Sequence, residues 1–193
     1  MNGNKFLKIT GIFTLIITMS IFPASSQGLL DDLFGSPTDE GPGNPHYVSF
    51  SQKYSPGQIV VSFSDRRLYF VNKRGKAYSY PIAVPADKAR WQGRLKVTAK
   101  REDPAWVPTA QMRREDPRLP AKVPGGHPKN PLGKRALYLG NTLYRIHGTD
   151  APWTIGSAVS KGCIRMHNED VIDLYRKVPI GTDVIVTWKR FHS

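Results

Sequence analysis

From residue 58 onward the chain is patterned as short runs of β-branched and aromatic residues separated by polar turns. The first three runs are 59–63, 68–72 and 77–82, and the breaks between them contain Ser, Asp, Arg, Lys and Gly. Short runs of such residues are typical of β-strands, and the brief polar breaks favour hairpins. The pattern therefore predicts an antiparallel meander over residues 59–82.

A second pair of runs and a C-terminal run extend the predicted sheet. Residues 136–139 and 142–146 flank Gly140 and Asn141, a pair that tolerates positive φ and is typical of a two-residue hairpin turn. Residues 184–188 form a last run of the same kind. We therefore predict a mainly β domain built from short strands.

Only one segment has the periodicity of a convincing helix, and it begins near Asn168. Val171, Leu174 and Val178 recur at helical spacing, with acidic residues before them and basic residues at the other end. Asn is a residue type that caps helix N-termini. The sequence thus predicts a helix that ends before Pro179, packs its apolar face into the core and is capped by Asn168.

The stretch from residue 101 to residue 135 contains seven Pro, eight basic and four acidic residues. Pro removes a backbone donor and interrupts helices and central strands, so we predict a long loop. Loops of this length are either functional or disordered. Trp106 and Met112 would anchor a lid or wall over a site, and the alternative is a disordered insertion.

The first 26 residues have the composition of an export signal. Lys5 and Lys8 precede an apolar run at residues 9–22, and small residues follow at positions 24–26. A membrane anchor is the competing interpretation, but a spanning helix needs about 20 mostly apolar residues. We predict cleavage near Ser26 and export to the periplasm or cell envelope, with no stable membrane span after cleavage.

The remaining chain divides at a change in composition. Residues 27–56 are rich in Gly, Pro, Ser and Asp and have little periodicity, which predicts a flexible leader. Residues 57–190 contain all of the predicted strands and the helix. We therefore expect a signal peptide at residues 1–26, a leader at residues 27–56 and a single folded domain at residues 57–190.

The chain is strongly basic, with a formal charge of +13 over 193 residues. In a cytosolic protein this charge would indicate a nucleic-acid partner. In an exported protein it favours another polyanion, such as a carboxylate-rich cell-wall polymer or an anionic membrane surface. The alternative is a solvated basic face that only keeps the protein soluble. We expect no nucleic-acid partner.

The chain has one Cys and five scattered His. A single Cys excludes an intramolecular disulfide and any zinc site with two or more thiolates from this chain, and the His lack the close spacings of metal ligands. We therefore expect no metal and no cofactor.

The single thiol, Cys163, follows Lys161 and Gly162 and precedes the predicted helix. A lone Cys is most often a small buried hydrophobic residue. Here Lys161, Arg165 and the start of the helix favour a thiolate, and Gly162 lets another molecule approach the backbone. We therefore predict that Cys163 is a nucleophile.

A thiol nucleophile needs a base or a positive field, because a thiol of pKa about 8.5 is mostly protonated at neutral pH. His147 ends a predicted strand 16 residues before Cys163, and a hairpin can return it beside the thiol. His167 competes, although its place suits a helix entry equally well. We predict that His147 is the base.

These motifs together resemble a known family. Over about residues 58–188 the chain looks like the YkuD-type catalytic domain of bacterial L,D-transpeptidases. The resemblance is carried by the sequences IHGT, PWTIG and SKGCIRM in this order, by IVVSFSDRRLYFV at the start and by NPLG at residues 130–133. The resemblance implies a mainly β, mixed-sheet sandwich or barrel. It also implies one clear helix after the Cys and a long Pro-rich loop.

Carried over by position, the resemblance implies a role for each residue of the motifs. Cys163 is the nucleophile, His147 is the base and Arg165 binds a carboxylate of the substrate. The backbone N–H groups near Gly162 and Cys163 stabilise the oxyanion, and a backbone carbonyl near Gly148 orients the imidazole.

Two positions remain open in that comparison. Asp150 is an alternative group for orienting the imidazole. Many relatives have His where this chain has Lys161, so the resemblance implies no role for the Lys161 side chain.

The implied reaction belongs to cell-wall biogenesis. The Cys cleaves the bond after the L-centre of the residue at position three of a peptidoglycan stem tetrapeptide, releases the terminal D-amino acid and transfers the acyl group to an amine. The acceptor is a second stem peptide or a protein, such as an outer-membrane protein or lipoprotein. The alternatives are a hydrolase of the same fold, acting as an L,D-carboxypeptidase or an amidase that releases wall proteins, and a non-catalytic wall-binding module.

Overall fold

The structure, a computed structural model, describes residues 45–191. The predicted signal peptide at residues 1–26 and residues 27–44 of the predicted leader lie outside the described residues.

The described residues form eleven strands and two α-helices. The strands are β1 (His46–Ser49), β2 (Ile59–Ser62), β3 (Arg67–Lys73), β4 (Lys76–Pro81), β5 (Val84–Pro85), β6 (Gly93–Glu102), β7 (Arg135–Leu139), β8 (Arg145–His147), β9 (Ala158–Ser160), β10 (Ile164–Arg165) and β11 (Asp183–Thr187). The helices are α1 (Ala110–Glu115) and α2 (Asn168–Lys177), and short 3₁₀ turns lie at Asp87–Ala89 and Pro152–Thr154.

Nine of these strands form one mixed sheet in the order β1-β4-β3-β2-β11-β6-β7-β8-β10. Strands β2, β3 and β4 are the predicted antiparallel meander. The pairs β2–β11 and β8–β10 are parallel, and β5 pairs with β9 in a separate two-stranded parallel sheet. The predicted mainly β, mixed-sheet fold is confirmed.

Strand β6 joins the two halves of the sheet. Its first part pairs with β11 and its second part with β7, and the register shifts at a bulge between Val97 and Ala99. Bulges bend a strand and increase its twist. Buried side chains from both halves, including Leu68 and Ile146, pack in one hydrophobic cluster with Leu174 of α2. The two halves therefore enclose the main core between them.

A second cluster covers the other face of β2 and β3. Phe50 stacks on Tyr69 with ring centroids 4.7 Å apart, and Phe191 packs against both rings. Strand β1 pairs with β4 just before Phe50. Residues 46–49, within the predicted leader, are therefore a strand, because the edge of β4 offers unpaired backbone groups and Phe50 has an apolar surface to cover.

The predicted two-residue turn at Gly140 and Asn141 is wrong. Leu139 donates a backbone hydrogen bond to the carbonyl of Tyr144 (3.1 Å), so the connection is a longer loop and β8 begins at Arg145. The Thr142 hydroxyl donates to the Leu139 carbonyl (2.6 Å) and accepts from the amide of Tyr144 (3.0 Å). These side-chain hydrogen bonds replace the hairpin pairing that the Gly-Asn pair favours.

Helix α2 confirms the predicted helix but not its cap. Val171, Leu174 and Val178 are buried as predicted, whereas the N-cap residue is His167, which makes no side-chain capping bond. Asn168 is the first helical residue, and its side chain bonds two loops instead.

Helix α1 was not predicted, because the surrounding Pro residues indicated a loop without helix. It fits between Pro108 and Pro117, and the hydroxyl of Thr109 accepts a hydrogen bond from the amide of Met112 (3.1 Å). Thr at an N-cap position with six Pro-free residues after it was the signal for this turn of helix. Of the helices in residues 45–191, neither has the length and apolarity needed to cross a membrane.

Candidate active site

Two neighbouring strands bring the two predicted catalytic residues to one end of the sheet. His147 is the last residue of β8, and Cys163 directly precedes β10. The strands are parallel with Arg165 opposite His147, and the amide of Met166 donates to the His147 carbonyl (2.8 Å). Parallel pairing therefore sets the turn that carries the thiol beside the strand that carries the imidazole.

Cys163 and His147 line the same cavity, which has a volume of about 1160 Å³. Sites for drug-sized ligands usually have volumes of about 300–1,000 Å³, so this cavity has room for an extended peptide. Its basic wall residues are Lys88, Arg145, Lys161 and Arg165. The cavity can therefore accept a peptide that carries carboxylates.

His147 is enclosed by protein, with 4% of its surface exposed. Burial is the main cause that lowers the pKa of His147 to about 3; the contact with Gly148 opposes the change, and the charges of Arg165 and Arg145 add to it. The imidazole is therefore neutral at physiological pH, as a general base must be before it accepts a proton.

The carbonyl of Gly148 holds the imidazole in one orientation. His147 Nδ1 lies 2.5 Å from that oxygen, and because a carbonyl only accepts, Nδ1 carries the hydrogen. The other ring nitrogen, Nε2, then has the free lone pair that a base requires. The side chain of Asp150, the alternative orienting group, is exposed, so the orienting contact is the backbone one.

Cys163 is a thiol in the resting protein. Burial raises its pKa, and hydrogen bonds and charge from Arg145, together with the charge of Arg165, only partly oppose that effect. The predicted preference for a thiolate is therefore outweighed by desolvation. The ammonium of Lys161 pairs with Glu115.

Arg145 is a residue of the site that the sequence analysis did not single out. Its guanidinium lies 5.0 Å from the ring centre of Tyr138 and donates to the carbonyl of Leu143 (3.3 Å), which is also 3.5 Å from the sulfur of Cys163. Residues two apart on a strand share a face. The position of Arg145 two residues before His147 was the signal that could have identified it.

Arg165 lines the cavity and is half-buried. The alternative of a structural ion pair with Asp150 or Asp173 is wrong, since no salt bridge joins Arg165 to a carboxylate within residues 45–191. Asp173 instead accepts from the hydroxyl of Tyr80 (2.7 Å) and pairs with Lys177. The guanidinium therefore remains available to a ligand.

A packed aromatic pair shapes the turn before the thiol. Gly162 has φ of +122°, and a Cβ there would lie 2.7 Å from the ring of Tyr144. Tyr144 stacks on Trp91 with centroids 4.4 Å apart, and the Trp91 indole donates to the Gly162 carbonyl (2.9 Å). Glycine is therefore required here by the backbone and by Tyr144, whereas the sequence analysis attributed it to the approach of a ligand.

The backbone donors predicted for an oxyanion are not equally available. The N–H of Gly162 points to the hydroxyl of Ser160 (3.4 Å), and that hydroxyl donates to the carbonyl of Cys163. Because the N–H of Gly162 is directed at Ser160, the N–H of Cys163 is the better candidate for stabilising an oxyanion.

The Pro-rich stretch is ordered and forms one wall of the cavity. Trp106 and Met112, the two predicted anchors, line it together with Glu115 and Leu119. Backbone hydrogen bonds between Trp106 and Val123 (2.9 and 2.8 Å) close this stretch into a compact lid. The stretch is thus a wall of the cavity, as one of the two interpretations expected, and its action as a lid stays a prediction.

An ion pair connects the lid to the turn that carries the thiol. Glu115 at the end of α1 bonds the ammonium of Lys161, two residues before Cys163, and both side chains line the cavity. Both are also about half exposed, at 45% and 57% of the side chain. His167, the competing base, does not line the cavity and is the N-cap residue of α2.

The model of the L,D-transpeptidase catalytic domain family, YkuD, matches residues 56–186. A relative from Escherichia coli strain K12, the probable L,D-transpeptidase YbiS, is 43% identical over 136 residues, which are 65% of this chain and 43% of that protein. The chain thus spans less than half the length of that relative.

Solved structures show the same fold. An L,D-transpeptidase from Mycobacterium smegmatis has a TM-score of 0.53 at 21% identity, covering 67% of this chain and 58% of that one. A Brucella melitensis protein, described as a probable carnitine operon oxidoreductase, is 47% identical with a TM-score of 0.50, covering 74% of this chain and 92% of that one.

The buried imidazole predicts a specific loss of stability in acid. Between pH 6.5 and about pH 3 the unfolded chain binds a proton at His147 that the folded protein does not, so the free energy of unfolding falls as pH falls, by up to about 1.4 kcal/mol per pH unit. His147→Gln should therefore flatten the decline measured by urea unfolding from pH 7 to pH 4.5.

The matched control is His167→Gln, because that imidazole is half-buried and lies outside the cavity. The free energy of unfolding of His167→Gln should fall with pH as steeply as that of the wild type. An equal slope in wild type and His147→Gln would contradict the neutral, buried state of His147.

Proposed function

The chain belongs to the L,D-transpeptidase catalytic domain family, and on that premise we propose that it transfers acyl groups between peptidoglycan stem peptides through Cys163. The observation that carries the proposal is that Cys163 and a neutral His147 with its proton on Nδ1 line one cavity with Arg165, which has no salt bridge to a carboxylate of residues 45–191. The lid gives that cavity the length for a peptide donor. Export to the cell envelope, with residues 1–26 as signal peptide, is part of the proposal.

The first half of the reaction forms a thioester. His147 Nε2 takes the proton of the Cys163 thiol, and the sulfur attacks the carbonyl carbon after the L-centre of the third stem residue. The oxyanion is stabilised by the N–H of Cys163, a type of contact worth about 3 kcal/mol in other enzymes. The intermediate collapses as the terminal D-amino acid leaves, and its amine takes the proton from His147.

The second half returns the enzyme to its resting state. The amine of a second stem peptide, or of an envelope protein, attacks the thioester carbonyl and gives a proton to His147. The carbon–sulfur bond then breaks, and Cys163 regains its proton. Every proton moves between sulfur, imidazole and substrate amines, so this sequence needs no cofactor.

Substrate binding assists the proton transfer if Arg165 holds a substrate carboxylate. In the free protein the charge of Arg165 lowers the pKa of His147 and so weakens it as a base. A bound carboxylate compensates that charge and makes the imidazole more basic. The base therefore becomes effective mainly when the donor is in place.

The test of the proposed function is incubation with purified tetrapeptide muropeptides, followed by intact-protein mass measurement and analysis of the products. We expect a single acyl adduct on Cys163 and a cross-linked or amine-substituted product. Cys163→Ala should fold but form no adduct. His147→Gln should lower turnover by about 10²- to 10⁴-fold, and His167→Gln should retain most of it.

A product formed only with water would assign the chain to the hydrolase alternative, an L,D-carboxypeptidase or an amidase. Binding to sacculi without any adduct would assign it to a wall-binding module. Undiminished turnover in Cys163→Ala would exclude the thiol mechanism.

Arg165 supplies a second prediction. Arg165→Lys keeps the charge but loses the planar guanidinium that can donate two hydrogen bonds to one carboxylate. We therefore expect kcat/KM to fall about tenfold. The melting temperature should stay nearly unchanged, because no salt bridge holds Arg165 to a carboxylate within residues 45–191. A lower melting temperature with normal kcat/KM would mean that Arg165 is structural.

The ion pair between Glu115 and Lys161 supplies a third prediction. Glu115→Gln removes it without changing the side-chain size, so the lid should open more often and admit water to the thioester. We expect the ratio of hydrolysis to transfer to rise about twofold to fivefold in assays with a fixed amine acceptor.

The control for this prediction is Glu102→Gln, which breaks an ion pair between the exposed Glu102 of β6 and the largely buried side chain of Arg135 of β7. Neither Glu102 nor Arg135 lines the cavity. An equal ratio in both variants would show that the lid does not depend on its contact with Lys161.

A further inference from the structure

One peptide unit, between Gly148 and Thr149, carries the oxygen that orients His147. It performs the task that a carboxylate performs in a Ser-His-Asp triad. A carbonyl can hold an imidazole in one tautomer only if its peptide plane is prevented from rotating. The groups that hold this plane are therefore part of the catalytic machinery.

The peptide unit is held from the direction of β7 and the turn before it. The amide of Gly148, which belongs to the preceding peptide unit, donates to the carbonyl of Arg135 (3.1 Å) and fixes the chain at that end. Gly133, with φ of +61°, lies so close that a Cβ on it would be 2.4 Å from the nitrogen of Thr149 and 2.6 Å from the carbonyl carbon of Gly148. The glycine thus packs directly against the plane of this peptide.

The side chain of Asn168, from the direction of α2, bonds the next peptide unit, between Thr149 and Asp150, and so fixes the chain at the other end. Its Nδ2 donates to the carbonyl of Thr149 (2.9 Å), and its Oδ1 accepts from the amide of Lys134 (3.0 Å). A Cβ on Gly148 or on Gly133 would lie 2.2 Å from the same Oδ1. One amide therefore joins the helix to both segments that enclose the orienting peptide.

We propose that Asn168 is a positioning residue, which fixes the Gly148–Thr149 peptide through Thr149 and Lys134 and thereby keeps the proton of His147 on Nδ1. Its importance for turnover rests on the proposed function, whereas its effect on the imidazole does not. Because Nε2 is left unprotonated only in this tautomer, loss of the Asn168 contacts removes the base from a fraction of the molecules.

The experiment compares the tautomer of His147 in wild type and two variants by ¹⁵N–¹H NMR of the histidine side chains, without substrate. Asn168→Asp keeps an acceptor for Lys134 but places an oxygen against the carbonyl of Thr149, and Asn168→Ala removes both contacts. The His147 signals are assigned with His147→Gln. Wild type should show the Nδ1–H form, and both variants should show a mixture with the Nε2–H form.

The matched control is Ser62→Ala. Ser62 of β2 is buried, and its hydroxyl also bonds backbone groups, since it donates to the carbonyl of Lys189 (2.8 Å) and accepts from the amide of Asp65 (3.0 Å), but β2 lies four strands away from β8 and the Gly148 peptide. It should lower the melting temperature and leave the His147 tautomer as in wild type. This separates positioning from a general loss of stability.

In the muropeptide assay, Asn168→Asp should lower kcat by about tenfold to a hundredfold with little change in KM, because the substrate contacts remain. A folded Asn168→Asp whose His147 stays entirely in the Nδ1–H form would overturn the proposal. The same holds if Ser62→Ala shifts the tautomer equally. If wild type forms no acyl adduct, the proposed function fails, while the tautomer measurement still decides the role of Asn168.

Discussion

The contact between the buried imidazole of His147 and the carbonyl of Gly148 is the interaction on which the rest of the site depends. With 4% of its surface exposed, His147 is neutral, and the carbonyl keeps the proton on Nδ1. Cys163, the proposed nucleophile, is likewise neutral, since burial raises the pKa of its thiol. In the proposed reaction, charge therefore appears only as the proton moves, and the protein has to hold two neutral groups in position rather than stabilise an ion pair.

The arginines around this pair act in opposite directions on its two members. Arg145 and Arg165 favour the thiolate of Cys163 but disfavour the protonated form of His147. A carboxylate bound at Arg165 changes this balance in favour of the imidazolium. The ammonium of Lys161 pairs instead with the lid residue Glu115. Under the proposed function, the two arginines therefore tune the reaction and Lys161 holds the lid.

The hydrophobic pattern within single segments was sufficient to predict much of the fold. The meander of β2, β3 and β4 and the amphipathic helix α2 follow from alternation and periodicity that are complete within each segment. Strand β1 was missed because it depends on the free edge of β4, and helix α1 because Pro at its two ends concealed a short capped turn. Gly140 and Asn141 predicted a two-residue turn before β8, but the connection is a longer loop because Thr142 provides competing hydrogen bonds.

The sequence by itself identified the chemical groups: a single thiol before a helix, a His at the end of a strand, and an Arg two residues after the thiol. Only the tertiary structure decided the state of these groups and their surroundings: burial outweighs the basic neighbours at Cys163, Arg145 lines the same cavity, and Asn168 bonds the backbone of Thr149 and Lys134 instead of capping its helix. The reason is physical. Residue type and spacing are local properties, whereas a pKa or a fixed peptide plane is the sum of contacts from segments that are distant along the chain and meet only in the folded protein.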